Sequence, residues 1–156
     1  MSVANGSRAL GLRAALWIAL GWWIGGWALF AFVVAPAAFG RLPSTRIAGQ
    51  LVGPVLAVLH LYGAVAGIVL AALAWALARR GAAVWLPLAM SALCLVSHFG
   101  VTAQIEAIRE LVFGPGGSPE IALRFQHLHR ASMAIYTAVG LGGYALVWVH
   151  ARADAR

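Results

Sequence analysis

The sequence predicts an all-α integral membrane protein, a bundle of four membrane-crossing helices. Three observations carry that prediction. Of the 156 residues, 63% are hydrophobic and only 10% are charged. The mean hydropathy is +0.89, and the apolar residues fall into four runs separated by arginines. An ordinary soluble domain is roughly half apolar with about a quarter of its residues charged. Apolar runs beyond about 18 residues are the mark of bilayer-spanning helices, so the lipid bilayer is the partner that composition implies.

The four runs are residues 14–39, 47–78, 84–105 and 130–151, which leaves one four-span domain and no soluble one. At 1.5 Å per residue, roughly twenty residues cross the ~30 Å hydrocarbon layer, so the first two runs have length to spare. Ala35-Pro36-Ala37 offers the small residues of a signal-peptide cleavage site, but the apolar stretch before it exceeds the usual ~7–15 residues, so the first span is expected to be retained. Pro36 is read as the terminus of that helix or as a kink in it. Pro43 with Ser44 or Thr45 punctuates the first link, and Arg79-Arg80-Gly81 makes the second a short turn.

The third link is different. Residues 104–111 mix charged and apolar side chains at helical spacing, and Gly114-Pro115-Gly116-Gly117 breaks that pattern. Ser118-Pro119-Glu120 then reads as an N-cap, an N1 proline and an acidic first turn. Helix three is therefore expected to continue beyond its apolar run, and helix four to begin before its own. Glu106, Arg109, Glu110 and Glu120 read as a solvated ion-pair face on this link.

The formal charge of +7 comes from eleven arginines against Glu106, Glu110, Glu120 and Asp154. These arginines sit singly or in pairs at the ends of apolar runs, where they anchor to headgroups, rather than in the single patch of a nucleic-acid binder, so nucleic acid is not a partner. Arg8, Arg13, Arg79, Arg80, Arg152 and Arg156 share the side of the termini, against Arg41, Arg46, Arg109, Arg124 and Arg130 opposite. This balance favours both termini in the cytoplasm. Trp17, Trp85 and Trp148 fit an aromatic belt on the terminal side, while Trp22, Trp23 and Trp27 are assigned to lipid or to a partner subunit.

Ionisable residues at membrane depth are costly and are functional-site candidates by default. His60 projects roughly 28 Å beyond Arg79, His98 about 20 Å beyond Trp85 and His129 about 34 Å beyond Arg152, all in the half away from the termini. Each lies on a small or polar stripe: Gly49, Gly53, His60, Gly63 and Gly67 on helix two; Ser91, Cys94, His98 and Thr102 on helix three; His129, Ser132, Tyr136, Gly140 and Gly143 on helix four. Converging, these stripes would form a polar, histidine-containing zone of His60, Cys94, His98, His129, Ser132 and Tyr136. Imidazole and thiolate suit copper, zinc and iron, which leaves a metal or haem open as a cofactor. Simple hydrogen bonding between helices is the competing reading, because no HxxxH, HExxH, CxxC or haem-attachment motif occurs. His150 lies at the opposite end and is read as an interfacial residue. The pairs Gly21/Gly25, Gly49/Gly53 and Gly63/Gly67 have the spacing that lets helices approach closely.

The chain resembles the transmembrane-protein-205-like family of small multi-span membrane proteins, a domain of unknown function. The resemblance covers most of the chain. It rests on Val33-Val34-Ala35-Pro36-Ala37-Ala38-Phe39, on Ala48-Gly49 with Gly53, and on Phe125, Leu128, His129 and Ser132. Pro36, Gly49, His129 and Ser132 match the family pattern, whereas Ala103-Gln104 and Tyr136 depart from it. The resemblance implies a four-helix membrane domain and brings no catalytic residue; its animal members are associated with platinum-drug tolerance and secretory membranes.

No Ser/His/Asp arrangement, Walker loop, dinucleotide fingerprint or intramembrane carboxylate pair occurs, so no catalytic residue is assigned. Three functions compete: handling of a small solute or metal through the polar zone, an accessory subunit or homo-oligomer whose glycine faces only pack helices, and a haem- or copper-binding redox protein.

Overall fold

The computed structural model describes residues 3–114 and 117–155, and of residues 3–5 the backbone alone. The break expected at Pro115 and Gly116, and the charge at Arg156, lie outside the described residues. Four long helices make up the fold. Helix α1 runs Val3–Leu29, passes through a π-helical turn Phe30–Val34 and finishes as Ala35–Arg41. Helix α2 is Thr45–Ala76, and α3 is Ala82–Leu95, a second π-helical segment Val96–Thr102, and Ala103–Phe113. Helix α4 is Pro119–Asp154. Each is long and apolar enough to cross a membrane, the two shortest having 32 residues, or about 48 Å against a ~30 Å hydrocarbon layer. The excess length appears where the third link was expected to be helical, since α3 reaches Phe113 and α4 starts at Pro119.

The turns follow from local chemistry. Ser44 Oγ accepts the Ile47 N–H at 3.3 Å and Ser118 Oγ accepts the Ile121 N–H at 3.2 Å, with Pro119 opening α4; each cap satisfies a donor the helix itself cannot. In the second turn the Arg79 N–H donates to Ala74 O at 2.9 Å, and Ala78 and Gly81 adopt φ of +57° and +62°. For Ala78 that left-handed conformation costs about 1–2 kcal/mol.

Pro36 does not end α1. The helix continues to Arg41, because the widened π turn just before the proline accommodates its missing N–H and the clash of its ring with the preceding carbonyls.

Neighbouring helices in the chain pack against each other and α4 closes back on α1, an antiparallel up-and-down bundle. The tightest seam is between α2 and α3. A Cβ on Gly67 would lie 2.5 Å from the Pro87 carbonyl oxygen and 2.9 Å from Ser91 Cβ, so only glycine permits this approach. Across the same seam Ser91 Oγ donates to Ala64 O at 2.5 Å. Gly63 likewise leaves room for Cys94 Sγ and the Trp27 ring. Gly21, Gly25 and Gly49 meet no such neighbour; the first pair lines an open groove beside Leu59 and Tyr62 of α2 rather than a close helix contact.

The core is Leu16, Leu20, Trp23 and Trp27 of α1 against Leu70, Met90, Cys94, Val139 and Leu146. Trp23 and Trp27 are thus buried, contrary to the expectation that they face lipid; Trp22 alone of the three is exposed, at 73%. One residue along a helix turns the side chain by about 100°, which separates Trp22 from the Leu16-Leu20-Trp23-Trp27 stripe. Phe32, Trp75, Trp85 and Phe99 also lie on the outside. An outer surface so apolar is one that lipid solvates, and it accounts for a fold whose apolar side chains are only partly buried by protein.

Candidate functional site

Trp27 and Tyr136 bind α1 to α4 at mid-bundle. Trp27 Nε1 donates to Tyr136 O at 3.0 Å, Tyr136 Oη donates to Trp27 O at 2.5 Å, and the rings stack with centroids 5.1 Å apart. His60 packs edge-on to the same indole at 6.0 Å. It is fully buried, and neither of its ring nitrogens has a hydrogen-bond partner. His98, in the π segment of α3, places Nδ1 3.1 Å from Ala57 O, less than one turn before His60. Cys94 is buried one turn below His98 against Gly63.

His60, Cys94, His98 and Tyr136 therefore surround one layer of the bundle. His129 does not join them: it is exposed and lies parallel to the Phe125 ring, 6.2 Å away. Among the described residues, no group of three or more His, Cys, Asp or Glu side chains comes together as metal ligands.

One helical turn farther from the termini, residues of all four helices line a partly open cavity of about 280 Å³. Its walls are Phe30, Ala35 and Phe39 of α1, Gly49, Val52, Gly53 and Leu56 of α2, Thr102, Ile105 and Phe113 of α3, and Phe125, His129, Ser132 and Met133 of α4. Phe113 and Phe125 meet edge to face at 5.7 Å across it. Into this apolar space project Glu106 and Arg109, ion-paired at 2.5 Å.

Arg109 is only 9% exposed. It fits because Gly53 has no side chain: a Cβ there would collide with the Arg109 guanidinium and lie 2.8 Å from Glu106 Oε1. Outside the cavity, Arg46 pairs with Glu110, and Gln50 Nε2 donates to Glu110 Oε1 at 3.4 Å. The expectation of a solvated ion-pair face holds for Glu106 and Glu110, which are exposed and ion-paired, but fails for Arg109, which is buried. Its burial was foreshadowed only by Ile105 and Ile108 beside it and by the glycines of α2. Thr102 Oγ1, also on the cavity wall, is buried without a hydrogen-bond partner, a deficit folded proteins rarely leave.

The opposite end holds a second polar group that the sequence did not reveal. Arg79 donates to Asp154 Oδ1 at 2.5 Å and lies 2.6 Å from His150 Nδ1. Trp17 Nε1 donates to Asp154 Oδ2 at 3.0 Å, and Arg13 approaches Oδ1 at 3.5 Å. His150, expected at the interface, is fully buried beneath this network. The sequence separations, up to 137 residues for Trp17 and Asp154, hide such a cluster from any local reading.

Four helices long and apolar enough to cross a membrane, packed around a partly open cavity, define a small polytopic membrane protein. More particularly, the chain belongs to the family described as a domain of unknown function, DUF4149, which matches residues 18–112, from within α1 almost to the end of α3. No curated protein and no solved structure is detectably similar to it.

Proposed function

We propose that this protein binds a small amphiphilic solute in the cavity between its four helices, on the side away from the termini. The observation that carries the reading is the buried Arg109 guanidinium, ion-paired to the more exposed Glu106, in a largely apolar cavity. A guanidinium carries five N–H donors. With one carboxylate engaged it retains donors for a hydrogen-bond-accepting head group, while the aromatic walls receive the apolar body. His129, Ser132 and Thr102 add polar atoms to the wall.

The resemblance to transmembrane-protein-205-like proteins belongs to this reading. Its three short motifs are far apart in sequence, yet Ala35 and Phe39 of the first, Gly49 and Gly53 of the second, and Phe125, His129 and Ser132 of the third all line this cavity. The polar zone of His60, Cys94, His98 and Tyr136 lies in the neighbouring layer of the bundle, outside the cavity lining, and the four helices act as one domain.

The test is binding of octanoate, octanol and octyltrimethylammonium to protein in lipid nanodiscs, followed by equilibrium dialysis. Octanoate should bind tightest and the ammonium weakest, and Arg109→Gln should weaken octanoate about tenfold or more, the scale of a charge-assisted hydrogen bond. Equal binding of all three to wild type and variant would leave the cavity a groove for lipid tails and the protein an accessory subunit.

A metal ion on His60 and His98 is the second reading. It is favoured by the contact of His98 Nδ1 with a backbone carbonyl, the arrangement that aims Nε2 of a ligating histidine. Further ligands would have to come from outside this pair, and elemental analysis of the purified protein decides it.

A further inference from the structure

At the terminal end, Arg13 of α1, Arg79 and Arg80 of the second turn, and Arg152 of α4 line a pocket of about 530 Å³. Asp154 is the carboxylate beside them, and it is already engaged by Trp17, Arg13 and Arg79. Arg79 is nearly buried, its side chain 8% exposed, and is committed to Asp154 and His150. The others are less committed: Arg80 donates only to the neighbouring Arg79 carbonyl at 2.9 Å, and Arg152 lies 3.6 Å over the Trp148 ring. Four guanidiniums against one carboxylate, which engages only Arg13 and Arg79, leave a surplus of positive charge and of unused N–H donors.

The start of α3 adds to that surplus. Its N-cap is Gly81, which offers no side-chain acceptor, and Ala83 of its first turn lines the pocket. The Val84 and Trp85 N–H groups donate to Gly81 O, which leaves the Ala82 and Ala83 N–H groups and the positive pole of the helix dipole at this end. Here they meet arginines that arrive from three separate elements.

We propose that this pocket binds a phosphate group, contributed either by the headgroup of an anionic phospholipid or by a soluble phosphate ester. A tetrahedral oxyanion suits donors converging from several directions, and planar guanidiniums grip phosphate oxygens in pairs. Trp148, 59% exposed beside the site, is a residue of the headgroup layer. The site is independent of the cavity at the other end.

Two arms test it on the full-length detergent-purified protein, with circular dichroism and gel filtration as the check on folding. In the first, native mass spectrometry counts phosphatidylglycerol and phosphatidylcholine retained from an equimolar mixture. In the second, glycerol 3-phosphate is titrated by calorimetry.

For a lipid site, wild type retains phosphatidylglycerol about fivefold over phosphatidylcholine, Arg80→Gln with Arg152→Gln abolishes the preference, and Arg124→Gln with Arg130→Gln at the far end leaves it intact. For a soluble ester, glycerol 3-phosphate binds wild type and the far-end variant but not Arg80→Gln/Arg152→Gln, with no lipid preference. Should the double variant not purify, Arg80→Gln alone replaces it and should at least halve the preference or the binding. Absence of both preference and binding in wild type overturns the proposal, as does equal loss in the far-end variant.

Discussion

The two ends of this bundle treat charge in opposite ways. Near the termini, Arg79, Asp154, His150 and Trp17 neutralise and bond one another, joining α1, α4 and the second turn, and only surplus arginine faces outward. At the other end Arg109 and Glu106 have each other, while Thr102 and Ser132 face an apolar cavity between the helices. The packing differs in the same sense: Gly67 is pressed against the Pro87 backbone, whereas Gly49 meets nothing within 4 Å. A polar network whose charges are paired within itself is a structural tie, even with His150 Nε2 left without a hydrogen-bond partner. One left open beside a cavity is where a ligand can be recognised, since buried polar groups without partners are costly.

The largest expected contrast lies between these two glycines. Gly67→Val should cost about 3 kcal/mol or prevent folding, because a backbone carbonyl cannot move aside, while Gly49→Val should stay within about 0.5 kcal/mol. Unfolding of both variants in mixed detergent–SDS micelles measures this, and equal losses would erase the distinction between the halves. Next come the carboxylates. Asp154→Ala strands the nearly buried Arg79 and should cost about 2 kcal/mol, whereas Glu106→Ala, whose side chain is 44% exposed, should cost under about 1 kcal/mol. The same unfolding assay gives both values, and the reverse order would mean that the far end is the structural tie.

At the boundary between the halves, Tyr136→Phe removes the donor to Trp27 O and should cost about 1 kcal/mol, a typical upper value for a hydrogen bond between membrane helices. Stability unchanged within error would show that ring stacking alone holds α1 to α4. The smallest effect is expected at Thr102. Exchanging its unpartnered hydroxyl for a methyl in Thr102→Val should leave stability equal or raise it by up to about 1 kcal/mol. A clear loss of stability would mean that the hydroxyl has a partner, such as a bound water, and would sharpen the description of the cavity.

How much of this was legible beforehand depends on the distance over which a feature is encoded. Ser44 and Ser118 could be read as caps because cap and acceptor lie three residues apart. The seam at Gly63 and Gly67 was visible as a glycine repeat beside the polar stripe of α3, but the identical spacing at Gly21 and Gly25 marks an exposed face. Arg109 read as a solvated residue because its neighbours in sequence are charged, and its burial depends on Gly53, 56 positions earlier. Trp23 and Trp27 were misplaced because four tryptophans crowd one stretch of α1 and only the partner helices select the inner face.

Composition by itself determined the class: runs of more than about 18 apolar residues must be solvated by lipid whatever their neighbours, and in lipid the backbone must satisfy itself as helix. The chain also wrote its own stops, at Ser44, Gly81 and Ser118. Only the tertiary structure decided which side chains meet. Facing depends on the rotation of each helix about its axis, about 100° per residue, and the π turns at Phe30–Val34 and Val96–Thr102 alter that rotation midway along α1 and α3. The cavity and the two polar ends exist because four separately rotated faces converge.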